Sequence, residues 1–147
     1  MKDILLNDNT CAVIATYTGS KIIKKEGCVV SELSPREIIN KNCEYFGSSL
    51  EGRIVGSKTL IGVSYKVPII ISEHLNFIMF PTSSIKGSHC SWININHIDH
   101  YYSSKKDFVD IVFINKEKIS INMSLKMLEN QILKASRLKL VFLERKM

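Results

Sequence analysis

Four cysteines and four histidines are the first residues to test for chemistry in this 147-residue chain. Cys43, His89, Cys90 and His97 carry ligand atoms suited to zinc, yet only His89 and Cys90 are close in sequence. Structural zinc sites draw ligands from tight pairs that fix local geometry, and no CxxC pair exists here. No thiol is set at a helix start beside a base, as an activated cysteine nucleophile requires. The segment Gly47-Ser48-Ser49-Leu50-Glu51-Gly52 lacks the G-x-S-x-G spacing of a nucleophile elbow, and no G-K-[ST] closes a phosphate loop. The reading is no catalytic residue, no metal and no cofactor.

Charge points elsewhere. Twenty Lys and Arg against fourteen Asp and Glu give a net charge of +6, an excess that attracts polyanions. Arg53 and Lys58 fall inside a glycine-marked segment, Arg36 precedes it, and Lys66 and Lys86 sit at loop or strand-end positions, His89 close by. An arginine gains from the narrow, electronegative minor groove of A-rich DNA. Asn94, Asn96, Asn130 and Gln131 are amides of the kind that address minor-groove acceptors, although each alone is equally at home at a strand end. No tandem helix pattern suggests a major-groove recognition helix.

The elements that must hold these residues are α+β. Composition, 45% hydrophobic and 23% charged, is that of a folded chain, and its length suits one domain over residues 1–147. Residues 11–17 read as a strand ended by a turn at 18–20, and 21–25 and 28–30 as a hairpin around Glu26-Gly27. Ser34-Pro35-Arg36-Glu37 is a helix start with a capping box, and that helix is expected to end near Asn42. Ser48-x-x-Glu51 repeats the signature, predicting a helix through Arg53 towards Lys58 that Gly52 and Gly56 weaken by roughly 1 kcal/mol each. Strands are expected over 60–65, 67–72, 76–80, 92–98, 108–114 and 118–123. Ser124 caps a longer final helix whose Leu125, Leu128, Ile132, Ala135 and Phe142 share a face. The sum is a mostly antiparallel sheet with two short helices inserted and a longer C-terminal helix.

Asp8 interrupts any signal-peptide core, and the longest apolar run contains Pro68 and is too short for a membrane span. The chain reads as cytoplasmic and nucleoid-associated, without a membrane partner, its scattered thiols reduced.

One stretch is more specific. Cys43-Glu44-Tyr45-Phe46-Gly47-Ser48-Ser49-Leu50-Glu51-Gly52-Arg53-Ile54-Val55-Gly56 is followed by Lys66-Val67-Pro68-Ile69, Phe80-Pro81-Thr82 and Cys90-Ser91-Trp92-Ile93. In this order the blocks resemble the ComK family of competence transcription factors, with similarity from about Thr10 to Gln131. The resemblance implies binding to paired A-rich and T-rich promoter boxes through the minor groove and association as dimers or tetramers. It further implies activation of genes for DNA uptake. Family members often extend a few dozen residues past Glu129-Asn130-Gln131, and that tail engages an adaptor for a Clp protease. The expectation for this chain is therefore a DNA-binding regulator whose degradation through the Clp adaptor is in question. The alternative is a truncated member that pairs with a full-length regulator and modulates it. The resemblance transfers no residue-level role, so Arg36, Arg53, Lys58, Lys66, Lys86, Asn94 and Asn96 rest on charge and position.

Overall fold

The computed structural model describes residues 2–146, with the side chains of residues 3–145. Its centre is a six-stranded antiparallel sheet ordered β3-β2-β1-β6-β5-β4. The strands are β1 (Thr10–Thr16), β2 (Gly19–Lys24), β3 (Gly27–Ser31), β4 (Ile69–Ser72), β5 (Phe77–Pro81) and β6 (Trp92–Asn94). Successive side chains on a strand point to opposite faces, and both faces here are covered. Ile70, Ile78, Phe80 and Ile93 enter one core, whereas Ile69, Ile71, Phe77, Met79 and Trp92 enter the other. This is why runs such as Ile69-Ile70-Ile71 are apolar throughout instead of alternating.

On one face lie α1 (Pro35–Tyr45) and the start of α2 (Leu50–Ile61), which add Ile38, Ile39, Cys43 and Leu50 to the core. On the other lie α3 (Leu125–Lys146) and a second antiparallel sheet of β7 (Ile98–Ser103), β8 (Val109–Phe113) and β9 (Lys118–Ile121). Leu128, Ala135, Leu138 and Phe142 of α3 and Val109, Ile111 and Phe113 of β8 fill that side. The architecture is α+β, with antiparallel sheets, two inserted helices and a long C-terminal helix, as expected.

Several boundaries move for identifiable reasons. The first capping box forms as read, with Ser34 N–H donating to Glu37 Oε1 at 3.1 Å and Glu37 N–H to Ser34 Oγ at 3.2 Å. That helix passes Asn42 and ends at Tyr45. The second cap is Ser49, not Ser48: its Oγ accepts from Gly52 N–H at 2.9 Å, one residue out of register for a box with Glu51. Residues 60–65 are not a strand. α2 continues to Ile61 and stops because Gly62, at φ 69°, takes the left-handed conformation that closes a helix and donates its N–H to Lys58 O. The 92–98 alternation is broken too: Asn94 Oδ1 accepts Asn96 N–H at 2.9 Å, and a 3-10 turn over Ile95–His97 separates β6 from β7.

A candidate nucleic-acid interface

Arg36, Lys58, Lys66 and Lys86 come from four separate parts of the chain, and the fold brings them to one cleft of about 360 Å³. Ile54, Tyr65, Val67 and Ile85 are among its other lining residues, and among the described residues no carboxylate lines it. Each cation is placed by a local device. Pro35 and the Ser34 cap set Arg36 on the first turn of α1. Lys58 lies on the last turn of α2, just before the Gly62 stop. Gly62 then sends the chain into a turn where Lys66 itself holds φ 48°, an uncommon conformation for a residue with a side chain. Lys86 rides on a loop closed by Gly87 N–H to Ser84 O (3.0 Å) and pinned where Ser91 N–H meets Thr82 Oγ1 (3.0 Å).

The strained Lys66 turn is held from behind by α3. Gln131 is buried, and its Nε2 donates to Lys66 O at 3.0 Å and to Pro81 O at 2.7 Å. Lys134 Nζ donates to Tyr65 O at 2.9 Å, and burial together with the charge of Lys66 holds its pKa below the usual lysine value. Tyr65 is 63% exposed at the rim, with Lys66 Nζ 5.4 Å from its ring centre. The sequence had suggested Gln131 as an amide facing DNA; it is instead the tie beneath the cleft. Lys134 and Tyr65 were missed as neighbours of the site, because nothing local in sequence says that α3 returns to residues 65–66. Arg36 also borders a second groove containing Glu37, Glu44 and Glu51, so the surface changes sign there.

Three candidates lie elsewhere. Arg53 is turned away from the cleft: Nη1 pairs with Glu73 Oε1 at 3.2 Å, the side chain is only 15% exposed, and Nε is buried without a hydrogen-bond partner among the described residues. Asn94 is buried, donating through Nδ2 to Thr10 O at 2.8 Å, so its amide fastens β6 and is not presented at the surface. Asn96 is exposed but does not line the cleft: its Oδ1 accepts from Lys139 Nζ at 2.6 Å and its Nδ2 donates to Asn76 O at 3.3 Å. His89 lies on the exposed loop beside two other shallow grooves.

The glycine-serine block is chiefly a corner. Gly47, at φ 89°, reverses the chain between α1 and α2, Ser48 N–H donates to Cys43 O at 2.8 Å, and Leu50 N–H donates to Asn40 Oδ1 at 2.9 Å. The later blocks meet each other: Phe80 pairs with Ile93 and Pro81 with Trp92 across β5 and β6, and Gln131 joins Pro81 to Lys66.

The four considered metal ligands do not assemble. Cys43 and Cys90 sit in one core, and His97 Nδ1 lies 3.8 Å from Cys11 Sγ. Among the described residues no group of three or more His, Cys, Asp or Glu is placed to hold a metal ion. All four cysteines are free thiols, Cys28 exposed and the others buried. Burial pushes the Cys43 thiol up to about 11. No described helix is long and apolar enough to cross a membrane.

Fold and cleft together define a basic α+β domain with a cation-lined surface groove. Its blocks carry the identification further: a family model described as ComK protein matches residues 1–147, and the chain belongs to the ComK family. It is 29% identical over 126 residues to the competence transcription factor of Bacillus subtilis (strain 168), covering 86% of this chain and 66% of that protein. The chain thus spans just under two thirds of that relative's length. No solved structure matches.

Proposed function

We propose that this protein is a ComK-type transcription regulator that binds AT-rich promoter DNA through the minor groove and activates genes of genetic competence. The observation that carries the reading is the convergence of Arg36, Lys58, Lys66 and Lys86 on a cleft to which no described residue contributes a carboxylate. Four cations so placed neutralise phosphates along a backbone, the sequence-independent part of DNA affinity. Sequence preference then comes from the groove's shape. A-rich tracts narrow the minor groove and deepen its negative potential, and cations at the cleft gain most there. Tyr65 at the rim supplies an aromatic face beside them. Family membership and the similarity to a competence transcription factor support the same reading. Binding of this kind needs no nucleophile or metal. A dimer or tetramer, and recognition by a Clp-protease adaptor, belong to the proposal as family properties.

The test is anisotropy titration of labelled AT-rich and GC-rich duplexes with wild type and a Lys58→Ala, Lys66→Ala, Lys86→Ala triple variant. The wild type should prefer the AT-rich duplex, and a minor-groove ligand of the distamycin type should displace it. The triple variant should lose affinity for both duplexes while keeping its melting temperature. Equal binding by the triple variant would remove the cleft from the interface.

A further inference from the structure

The outward side of α3 carries a stripe that the other described residues leave uncovered. Lys126, Asn130, Leu133, Arg137, Leu140 and Glu144 are all exposed and follow one another at alternating intervals of four and three residues. That alternation averages 3.5 residues and keeps side chains on one helix face, the seam of a two-helix pack. Leu133 and Leu140 are 67% and 63% exposed, while Leu128, Ala135, Leu138 and Phe142 on the opposite side fill the core. Flanking polar groups are engaged within the chain: Tyr101 Oη donates to Glu129 at 3.3 Å, and Lys134 is tied to Tyr65 O. Among the described residues, no hydrogen bond or ion pair engages the side chains of Asn130, Arg137 or Glu144.

We propose that this stripe packs antiparallel against α3 of a second copy of the chain. The charges select both occupant and direction. A parallel pair stacks Arg137 on Arg137 and Glu144 on Glu144. An antiparallel pair crossing near residues 138–139 interleaves the leucines and sets each Arg137 about one turn, roughly 6 Å along the axis, from the other copy's Glu144. The stripe is therefore complementary to itself, as a two-fold interface requires. A single helix pair falls at the small end of protein interfaces, below roughly 1,200 Å², so the pairing is reversible and concentration-dependent. It also has a geometric consequence, which rests on the DNA reading. Lys134 follows Leu133 directly and reaches the basic cleft through Tyr65, so each copy brings its cleft to the border of the pair.

Sedimentation equilibrium of the full chain over about 1–200 μM tests the pairing without DNA. A monomer–dimer equilibrium is expected, and Leu133→Lys with Leu140→Lys should weaken it by ~100-fold or more. Thermal melting at a concentration where wild type is monomeric should change little in that variant, since both leucines are exposed. Arg137→Glu and Glu144→Arg should each weaken the dimer about tenfold, and the double exchange should recover most of the loss. A wild type that stays monomeric throughout, a dimer indifferent to the leucine changes, or a double exchange no better than the worse single one would overturn the proposal. Monomeric leucine variants that still bind a single AT-rich box leave the cleft reading intact, so the two can fail separately.

Discussion

Replacing Arg53 separates a scaffold role from a DNA contact. Its side chain is about six-sevenths buried, so Arg53→Ala withdraws two methylenes, Cγ and Cδ, from packing, about 1.5 kcal/mol at roughly 0.8 kcal/mol each. The ion pair adds ~0–1 kcal/mol, because Glu73 is 61% exposed and solvent screens it. Against this, truncation removes the buried Nε that has no partner among the described residues, which returns on the order of 1 kcal/mol. The net expectation is a loss of about 0.5–1.5 kcal/mol, or a melting temperature lower by roughly 2–5 °C for a chain of this size. Arg53→Met keeps the stem and discards both charge and orphan donor, so it should melt within about 2 °C of wild type. Calorimetry gives the stabilities, and duplex titration of the same samples should show affinities within about threefold of wild type. The reasoning is refuted if Arg53→Ala melts like wild type but loses DNA affinity tenfold or more, the pattern of a groove contact.

Other outcomes follow from the same structure. The Cys43 thiol is raised by burial from 9.0 to about 11, so its protonated form is favoured by folding. That contribution, of order 2–3 kcal/mol, is complete below about pH 9 and is lost as pH rises towards 11; Cys43→Ala should flatten this alkaline fall in denaturation midpoints. Thiol titration with an aromatic disulfide should find one fast-reacting group, Cys28, in the native protein and four after unfolding. Gly56 is open around the position a Cβ would take, so Gly56→Ala should stabilise by about 0.5–1 kcal/mol in thermal melts. Gly52→Ala should gain less, since its Cβ would stand 2.8 Å from Ser48 Oγ and 3.2 Å from the capping Ser49 Oγ. Gln131→Leu strands Lys66 O and Pro81 O and should cost about 1–3 kcal/mol, read as a lower denaturation midpoint.

The parts of this molecule that were legible in sequence are those specified by local chemistry. The Ser34 cap with Pro35, the hairpins around residues 25–26 and 115–117, and the apolar face of α3 are each written within one short continuous stretch of chain. Residues 60–65 misled because Ile61, Val63 and Tyr65 are β-prone in isolation; α2 takes Ile61 into the core before Gly62 stops it. Asn94 and Arg53 show a different limit. A polar residue between apolar ones looks exposed in sequence, and only tertiary packing reveals that Asn94 bonds Thr10 O and that Arg53 finds Glu73. Arg36, Lys58, Lys66 and Lys86 could be nominated by charge alone. Their meeting depends on Gln131 and Lys134, 65 or more residues from the turn they hold.

The most direct test of the cleft as a DNA-binding surface is the salt dependence of affinity for an AT-rich duplex. Four neutralised phosphates give a slope of log affinity against log salt of about −3.6, close to a 150-fold loss between 50 and 200 mM salt. The Lys58, Lys66 and Lys86 triple alanine variant should reduce that slope to about −1. A wild-type slope near zero, or a triple variant whose slope matches wild type, would contradict the account.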